Sequence, residues 1–240
     1  MYGGRAGPFV TPLLAQACAN LRAGRPVLLF DDDKREKEVD LFFAAEHATP
    51  EAIRTLRREA GGLVFLAVDP RVGKALQLPF LHDLFQQASE RHPVLSRLVP
   101  NDIRYDSRSS FSLTINHRET FTGITDEDRS LTVREFARLA REPSVEAFGK
   151  AFRAPGHVHL CVGAEKLLHQ RKGHTELGVA LARLAGVTPV LVGCEMLGEG
   201  KALPVADAQR WADANGTVLA RGADVEAAWM KLETASPASR

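Results

Sequence analysis

The sequence predicts an α+β fold: a single three-layer α-β-α domain with a mixed, twisted sheet. Three observations carry this reading. Short apolar runs bounded by glycine and proline recur from Val27–Phe30 to Pro189–Val192, as buried strands do. Segments with helical spacing and capping residues stand between them. The two kinds neither alternate strictly, as parallel βαβ units do, nor separate into blocks, so a sheet of mixed strand direction is expected. No internal repeat, low-complexity tract or linker interrupts the 240 residues. One catalytic domain over residues 1–240 is therefore expected, with residues 1–8 and about 232–240 as flexible tails.

Taken in order, Thr11–Ala23 reads as a helix. Thr11 is its cap, and Leu13, Leu14, Ala17, Cys18 and Leu21 form its apolar face. Gly24 ends it, and the strand Val27–Phe30 follows. Leu41–Ala45 is a second strand. Thr49-Pro50-Glu51 opens a helix that runs to about Ala60 and stops at Gly61-Gly62. Leu63–Val68 is a strand. Val72–Arg108 mixes short helical patterns with turn signals and is expected to be a mobile loop, its Gln77–Arg108 part a lid. Ser110–Asn116 alternates as a strand, with Phe111, Leu113 and Ile115 on one face. Phe121–Asp126 reads as a strand end or turn leading to a helix near Thr132–Arg141. Gly156–Val162 is a strand. Thr175 is placed as the cap of a helix over 175–185 that stops at Gly186. Pro189–Val192 is a strand delivering Cys194-Glu195. A helix near Pro204–Asn215, a weak strand at Thr217–Ala220 and a polar tail complete the chain.

Lys and Arg total 31 and Asp and Glu 30, for a net charge of +1. No strong field points to nucleic acid or a membrane surface, so any anion specificity must come from local clusters. Cys18, Cys161 and Cys194 are too sparse for a zinc ribbon and fit small buried residues in a reducing compartment. No apolar run is long enough to span a bilayer, and the N-terminus has no secretory h-region. A cytoplasmic location is expected.

Two segments carry the chemistry. The first is Asp31-Asp32-Asp33-Lys34-Arg35-Glu36-Lys37-Glu38-Val39-Asp40, with six carboxylates in ten residues directly after a buried strand. Extended, it puts Glu36, Glu38 and Asp40 on one side; helical, it still puts Glu36 and Asp40 on one face. Either geometry groups like charges that water, arginine or a metal ion must offset. Alone, such a run is more often a solvated loop. The second segment is Arg171-Lys172-Gly173-His174-Thr175-Glu176. It sets two cations, a glycine and a hydroxyl at a helix N-terminus, where free N–H groups and the helix dipole favour a phosphate. His174 adds a neutral nitrogen for a metal. Two further positions stand out. His157 and His159 flank Val158 on one strand face, and Glu195 ends an apolar strand where burial can tune its pKa for proton transfer.

Together these segments resemble the 3,4-dihydroxy-2-butanone 4-phosphate synthase family, from about Leu13 to Ala220. The landmarks are Asp32–Asp40, Phe42–Glu46, Thr120–Arg129, Pro155–Val158, Gly173–Glu176 and Cys194-Glu195, in the family's order. The Tyr105–Arg129 stretch is most similar to the archaeal branch, and the absence of a second catalytic domain resembles the monofunctional form. The resemblance implies conversion of D-ribulose 5-phosphate to 3,4-dihydroxy-2-butanone 4-phosphate and formate, with Mg2+ or Mn2+. It implies Glu36 and His174 as metal ligands. Arg35, Glu36, Asp40, Arg171, Lys172, Gly173, His174, Thr175 and Glu195 would bind the substrate. His157, Glu195, Asp40 and Glu38 would form the catalytic set, with the base open among the three carboxylates. It also implies a homodimer. Val39, Phe65 and Lys37 depart from the family's pattern. Val39 and Phe65 are expected to narrow the pocket, and Lys37 to compete with the metal for carboxylates. A metal-dependent aldolase or isomerase on another phosphosugar, and a non-catalytic phosphometabolite-binding relative, are the alternatives. Formate release separates them from the lyase.

Overall fold

The computed structural model describes residues 11–103, 106 and 109–235; the expected tail at 1–8, residues 236–240 and four positions of the expected lid (104, 105, 107 and 108) lie outside the described residues. Seven strands form one sheet: β1 (Val27–Phe30), β2 (Val39–Ala44), β3 (Phe65–Val68), β4 (Phe111–His117), β5 (Phe152–Val162), β6 (Val190–Glu195) and β7 (Leu219–Arg221). Their order is β4-β5-β3-β6-β2-β1-β7. The β1–β7 and β3–β5 pairs are parallel, and β1–β2, β2–β6, β3–β6 and β4–β5 are antiparallel. The sheet is therefore mixed, as expected.

Both faces of the central strands are buried because side chains alternate between two apolar layers. Leu28, Phe30, Leu41, Phe43, Leu66, Val190 and Val192 point to one layer. Val27, Leu29, Phe42, Ala44, Phe65, Ala67 and Leu191 point to the other. The first layer packs under α2 (Pro50–Thr55), α5 (Asp126–Arg141), α6 (Val145–Ala151) and α8 (Val205–Ala214). The second packs under α1 (Pro12–Arg22), α7 (His174–Ala185) and α9 (Gly222–Ala235). This is the three-layer sandwich. At Gly193 the β2 ring of Phe42 passes so close that a Cβ would lie 2.3 Å from its Cε1, so only glycine fits.

Local chemistry explains most boundaries. Thr11 caps α1 by accepting the N–H of Leu14 at 3.3 Å. Leu13, expected on the buried face, is 50% exposed at the first turn. The helix expected to reach Ala60 is regular to Thr55 and then widens into a π-type turn, Leu56–Ala60, closed by Gly61 at φ 86°. The stretch expected to be a loop contains α3 (Pro70–Ala75), α4 (Leu81–Ala88) and a short 3-10 turn, Pro93–Arg97; α4 and that turn bury no side chain. α5 starts six residues before the expected Thr132 because Thr125 caps it and Asp126, Glu127 and Asp128 occupy its first turn. Residues 232–235, expected in the flexible tail, end α9 instead. The three cysteines are free and buried. No helix among the described residues is long and apolar enough to cross a membrane.

Candidate active site

The C-terminal ends of β1 and β6, the N-terminal ends of β2 and β3 and the N-terminus of α7 meet at one end of the sheet. The acidic run joins β1 to β2 there; Val39 and Asp40 begin β2, and Asp31–Glu38 is neither strand nor helix. Asp31 folds it into a turn: its buried carboxylate accepts the N–H groups of Glu36 at 2.9 Å and Glu38 at 3.1 Å. The turn directs Glu36, Glu38 and Asp40 toward α7. Lys37 takes φ 63° and faces solvent, 3.8 Å from Asp33. It therefore does not compete for the clustered carboxylates, against expectation.

At the other wall, Gly173 and not Thr175 is the N-cap of α7. A Cβ on Gly173 would lie 2.2 Å from Arg171 Nη1, so this glycine lets the arginine fold back over the helix tip. Thr175 is buried in the first turn, its hydroxyl 3.1 Å from that of Ser110. Arg171 donates from Nη1 to Glu176, and from Nε (3.0 Å) and Nη2 (2.7 Å) to Asp106. Arg35 also donates to Asp106, and its Nη1 lies 2.9 Å from Glu36. Glu176 is fully buried and accepts the Ala164 N–H at 2.9 Å. Burial pushes its carboxyl up, partly offset by Arg171.

Between the walls lies the titratable centre. His174 Nδ1 is 3.2 Å from Glu36 Oε2, and its Nε2 is 3.6 Å from Asp40 Oδ1 and 3.3 Å from the Glu38 carbonyl. Asp40 is 1% exposed, and neither of its carboxylate oxygens has a hydrogen-bond partner among the described residues. Burial pushes Asp40 up to about 8, with Glu195, Glu36 and Glu38 adding to the rise and His174 opposing it. Burial works against charge on His174, yet Asp40, Glu36 and Asp31 outweigh it and raise the ring to about 9. Burial likewise works against Glu36, but His174, Arg35 and Arg171 hold its carboxyl below the usual range. Burial and the neighbouring Glu36 raise Glu38. Glu195 sits opposite Asp40 in the β2–β6 register, and its Oε2 accepts the Leu63 N–H at 2.7 Å.

The described chain thus gathers Glu36, Glu38, Asp40, His174 and Glu195, with Arg35, Arg171, Gly173 and Thr175 beside them. Two expected members stand apart. Lys172 turns to Glu226, 2.6 Å away. His157 is exposed, and its Nδ1 is 3.1 Å from the Asn116 amide. β5 pairs Val158 with Ile115 but Arg153 with Asn116, so residues 154–157 form a bulge that breaks the alternation linking the two histidines. Burial lowers the pKa of His159, Glu195 opposes that, and its Nδ1 is buried without a hydrogen-bond partner among the described residues. Val39 and Phe65 are buried in the two core layers, Phe65 meeting Phe42 edge-on at 5.9 Å.

The residues fit a hard divalent cation. Asp31, Glu36 and His174 each offer a ligand atom, all within 4.8 Å of one another. Adjacent ligands on a magnesium ion lie about 3 Å apart, close to the Glu36–His174 separation. Asp31 already spends its oxygens on two N–H groups, so Glu36 and His174 are the better pair, with the bare oxygens of Asp40 nearby. Asp31 and Asp106 were given no role of their own from sequence, and His159 was paired with His157 rather than with Glu195. Asp31 alone had a signal, as the first acid after a buried strand.

The family model of 3,4-dihydroxy-2-butanone 4-phosphate synthase matches residues 15–228. The synthase of that name from Methanothermobacter thermautotrophicus is 43% identical over 224 residues, spanning 92% of this chain and 98% of its own length. The one from Archaeoglobus fulgidus is 45% identical over 201 residues, spanning 81% of this chain and 84% of its own. The crystal structure of the Candida albicans synthase covers 90% of this chain and 96% of its own, with TM-score 0.69 and 28% identity. A structure of a synthase in complex with two magnesium ions covers 93% of this chain and 98% of its own, with TM-score 0.67 and 26% identity.

Proposed function

The chain belongs to the 3,4-dihydroxy-2-butanone 4-phosphate synthase family, and from that premise we propose how its residues divide the work. It is a lyase of riboflavin biosynthesis that converts D-ribulose 5-phosphate to 3,4-dihydroxy-2-butanone 4-phosphate with a divalent cation, magnesium. The lost carbon leaves as formate, and the atoms balance without oxidant, reductant or added water.

Glu36 and His174 would hold the cation, which supplies Lewis-acid stabilisation of negative charge developing on the sugar's oxygens. Arg35, Arg171, Thr175 and the N–H groups at the tip of α7 would hold the phosphate. Asp40, Glu38 and Glu195 are placed to move protons. Asp40 is the strongest candidate because its bare oxygens and elevated pKa suit a group that must both take and return a proton near neutral pH. Glu195, fixed by the Leu63 N–H, stands across the register from it. His157 would act from the exposed rim, and Lys172 would add charge there only by leaving Glu226.

The observation that carries this reading is the meeting of Glu36 and His174, 138 residues apart in sequence, at 3.2 Å. The test is formate release from ribulose 5-phosphate with magnesium or manganese. Turnover that survives thorough chelation refutes the metal role, and an aldol cleavage product without formate favours the alternative enzyme class.

A homodimer and a cytoplasmic location belong to the same proposal. Phe121 is 94% exposed on a loop whose Phe121, Thr122 and Gly123 N–H groups all bind Asp128, at 3.2, 3.1 and 2.8 Å. Such a rigidly presented ring is what a second subunit would cover. Sedimentation of a monomer at micromolar concentration would refute the dimer.

A further inference from the structure

We propose that Asp106 occupies the phosphate subsite between turnovers, and that the phosphate of the substrate binds by displacing it. The inference rests on the reading of Arg35 and Arg171 as the phosphate grip and goes one step beyond it.

The geometry of Arg171 leads there. A guanidinium has five N–H donors, and oxyanions prefer its Nε–Nη edge. One end of Arg171, Nη1, binds Glu176. Glu176 is immovable: it is fully buried in the first turn of α7 and tied to the Ala164 N–H. The Nε–Nη2 edge is what remains for a ligand, and Asp106 Oδ2 takes both of its donors, at 3.0 and 2.7 Å. The same oxygen also accepts from Arg35 Nη2. One carboxylate oxygen thus collects three N–H donors from two arginines whose side chains are 10% and 18% exposed. That is the arrangement a phosphate oxygen would claim. Asp106 itself belongs to no helix or strand. A phosphate and this carboxylate cannot share the same donors, and their like charges repel.

The consequence is a trade. Asp106 keeps two arginines folded inward beside the acidic turn, which spares the site their mutual repulsion when no ligand is bound. It lowers the net affinity for phosphate in return.

Isothermal titration with inorganic phosphate, in magnesium, tests this on wild type, Asp106→Ala, Asp106→Glu and Arg171→Ala. Asp106→Ala is expected to bind phosphate roughly three- to tenfold more tightly, since a competing ion pair of this exposure is removed. It should also lower KM for ribulose 5-phosphate with kcat retained, whereas Asp106→Glu stays near wild type. Weaker phosphate binding or a raised KM in Asp106→Ala overturns the proposal, because it would make Asp106 a supporting residue. Unchanged binding overturns it as well. Arg171→Ala reports separately on the underlying reading. If it leaves phosphate affinity intact, the grip itself is misassigned; if it weakens affinity while Asp106→Ala changes nothing, only the displacement idea fails.

Discussion

His174 Nε2 lies 3.6 Å from Asp40 Oδ1 in a pocket that hides both side chains from solvent. The pair explains how one buried carboxylate without hydrogen bonds is tolerated: a cationic imidazole next to it offsets the desolvation. It also fixes the sign of the pH response. In the folded, metal-free protein His174 titrates near 9 against an ordinary 6.5, and Asp40 near 8 against 3.8. Both values are raised, so the folded state binds more protons than the unfolded one through this range. Stability from His174 is complete below about 6.5 and is lost as pH rises to 9; Asp40 costs stability progressively as pH rises from 3.8 to about 8.

The first prediction follows from that sign. With EDTA present, the urea midpoint falls as pH rises from 6.5 to 9, and magnesium reverses the trend because the cation takes the place of the protons. A midpoint that holds level or climbs in EDTA contradicts the assigned shifts.

His174→Ala removes one of the two proposed cation ligands. Manganese binding, read by electron paramagnetic resonance, is expected to weaken at least tenfold, as loss of a supporting partner of a metal site already does. Formate release should collapse while the circular dichroism spectrum stays that of the wild type. Wild-type rates in this variant would remove His174 from the metal site.

Asp40→Asn keeps the shape of the side chain and deletes its proton chemistry. Turnover should drop by about 10²–10⁴, the usual worth of a positioned acid–base group. Phosphate affinity, assigned in the proposal to Arg35 and Arg171, should stay within a factor of about two. A variant that retains most of its kcat would pass the base role to Glu38 or Glu195.

Phe136 tests the packing that carries the site. It is fully buried on α5 and meets Phe148 and Phe152 edge-on at 6.1 and 6.0 Å. Phe136→Ala is expected to cost about 3–5 kcal/mol, measured by chemical denaturation. A loss under about 1 kcal/mol would mean that the aromatic cluster repacks freely.

What the sequence disclosed, and what it hid, follows from how local each feature is. The strands from Val27 to Val192 were legible because uninterrupted apolar runs between turn residues have few other uses. The start of α5 was missed because Asp126–Arg129 looks like a solvated turn until Thr125 is recognised as its cap. α9 was missed because its alanine-rich composition follows a short strand with little contrast. The acidic run and the Gly173–Glu176 segment were legible as chemistry, since each concentrates its groups within a few residues. Asp106 was not, because a single aspartate gains meaning only from two arginines 71 and 65 residues away. The pairing of His157 with His159 was misread for a related reason: period-two alternation assumes an unbroken strand, and the bulge at 154–157 breaks it.

Gly62 offers a test of Glu195 that leaves the carboxylate chemically intact. This glycine precedes β3 and lies flat against the end of β6, its N–H donating to the Glu195 carbonyl at 3.1 Å. A Cβ there would stand 2.4 Å from Glu195 Oε2 and 2.7 Å from its carbonyl oxygen. Because the backbone as well as the side chain is in the way, Gly62→Ala must push Glu195 off the Leu63 N–H that aims it. If Glu195 handles a proton, a displacement on the order of 1 Å lowers kcat by about a hundredfold. The proposed cation and phosphate sites lie on the turn after β1 and the tip of α7, so manganese and phosphate affinities should hold. A normal kcat in a folded Gly62→Ala protein would mean that the position of Glu195 is not critical, and would leave proton transfer to the carboxylates of the β1–β2 turn.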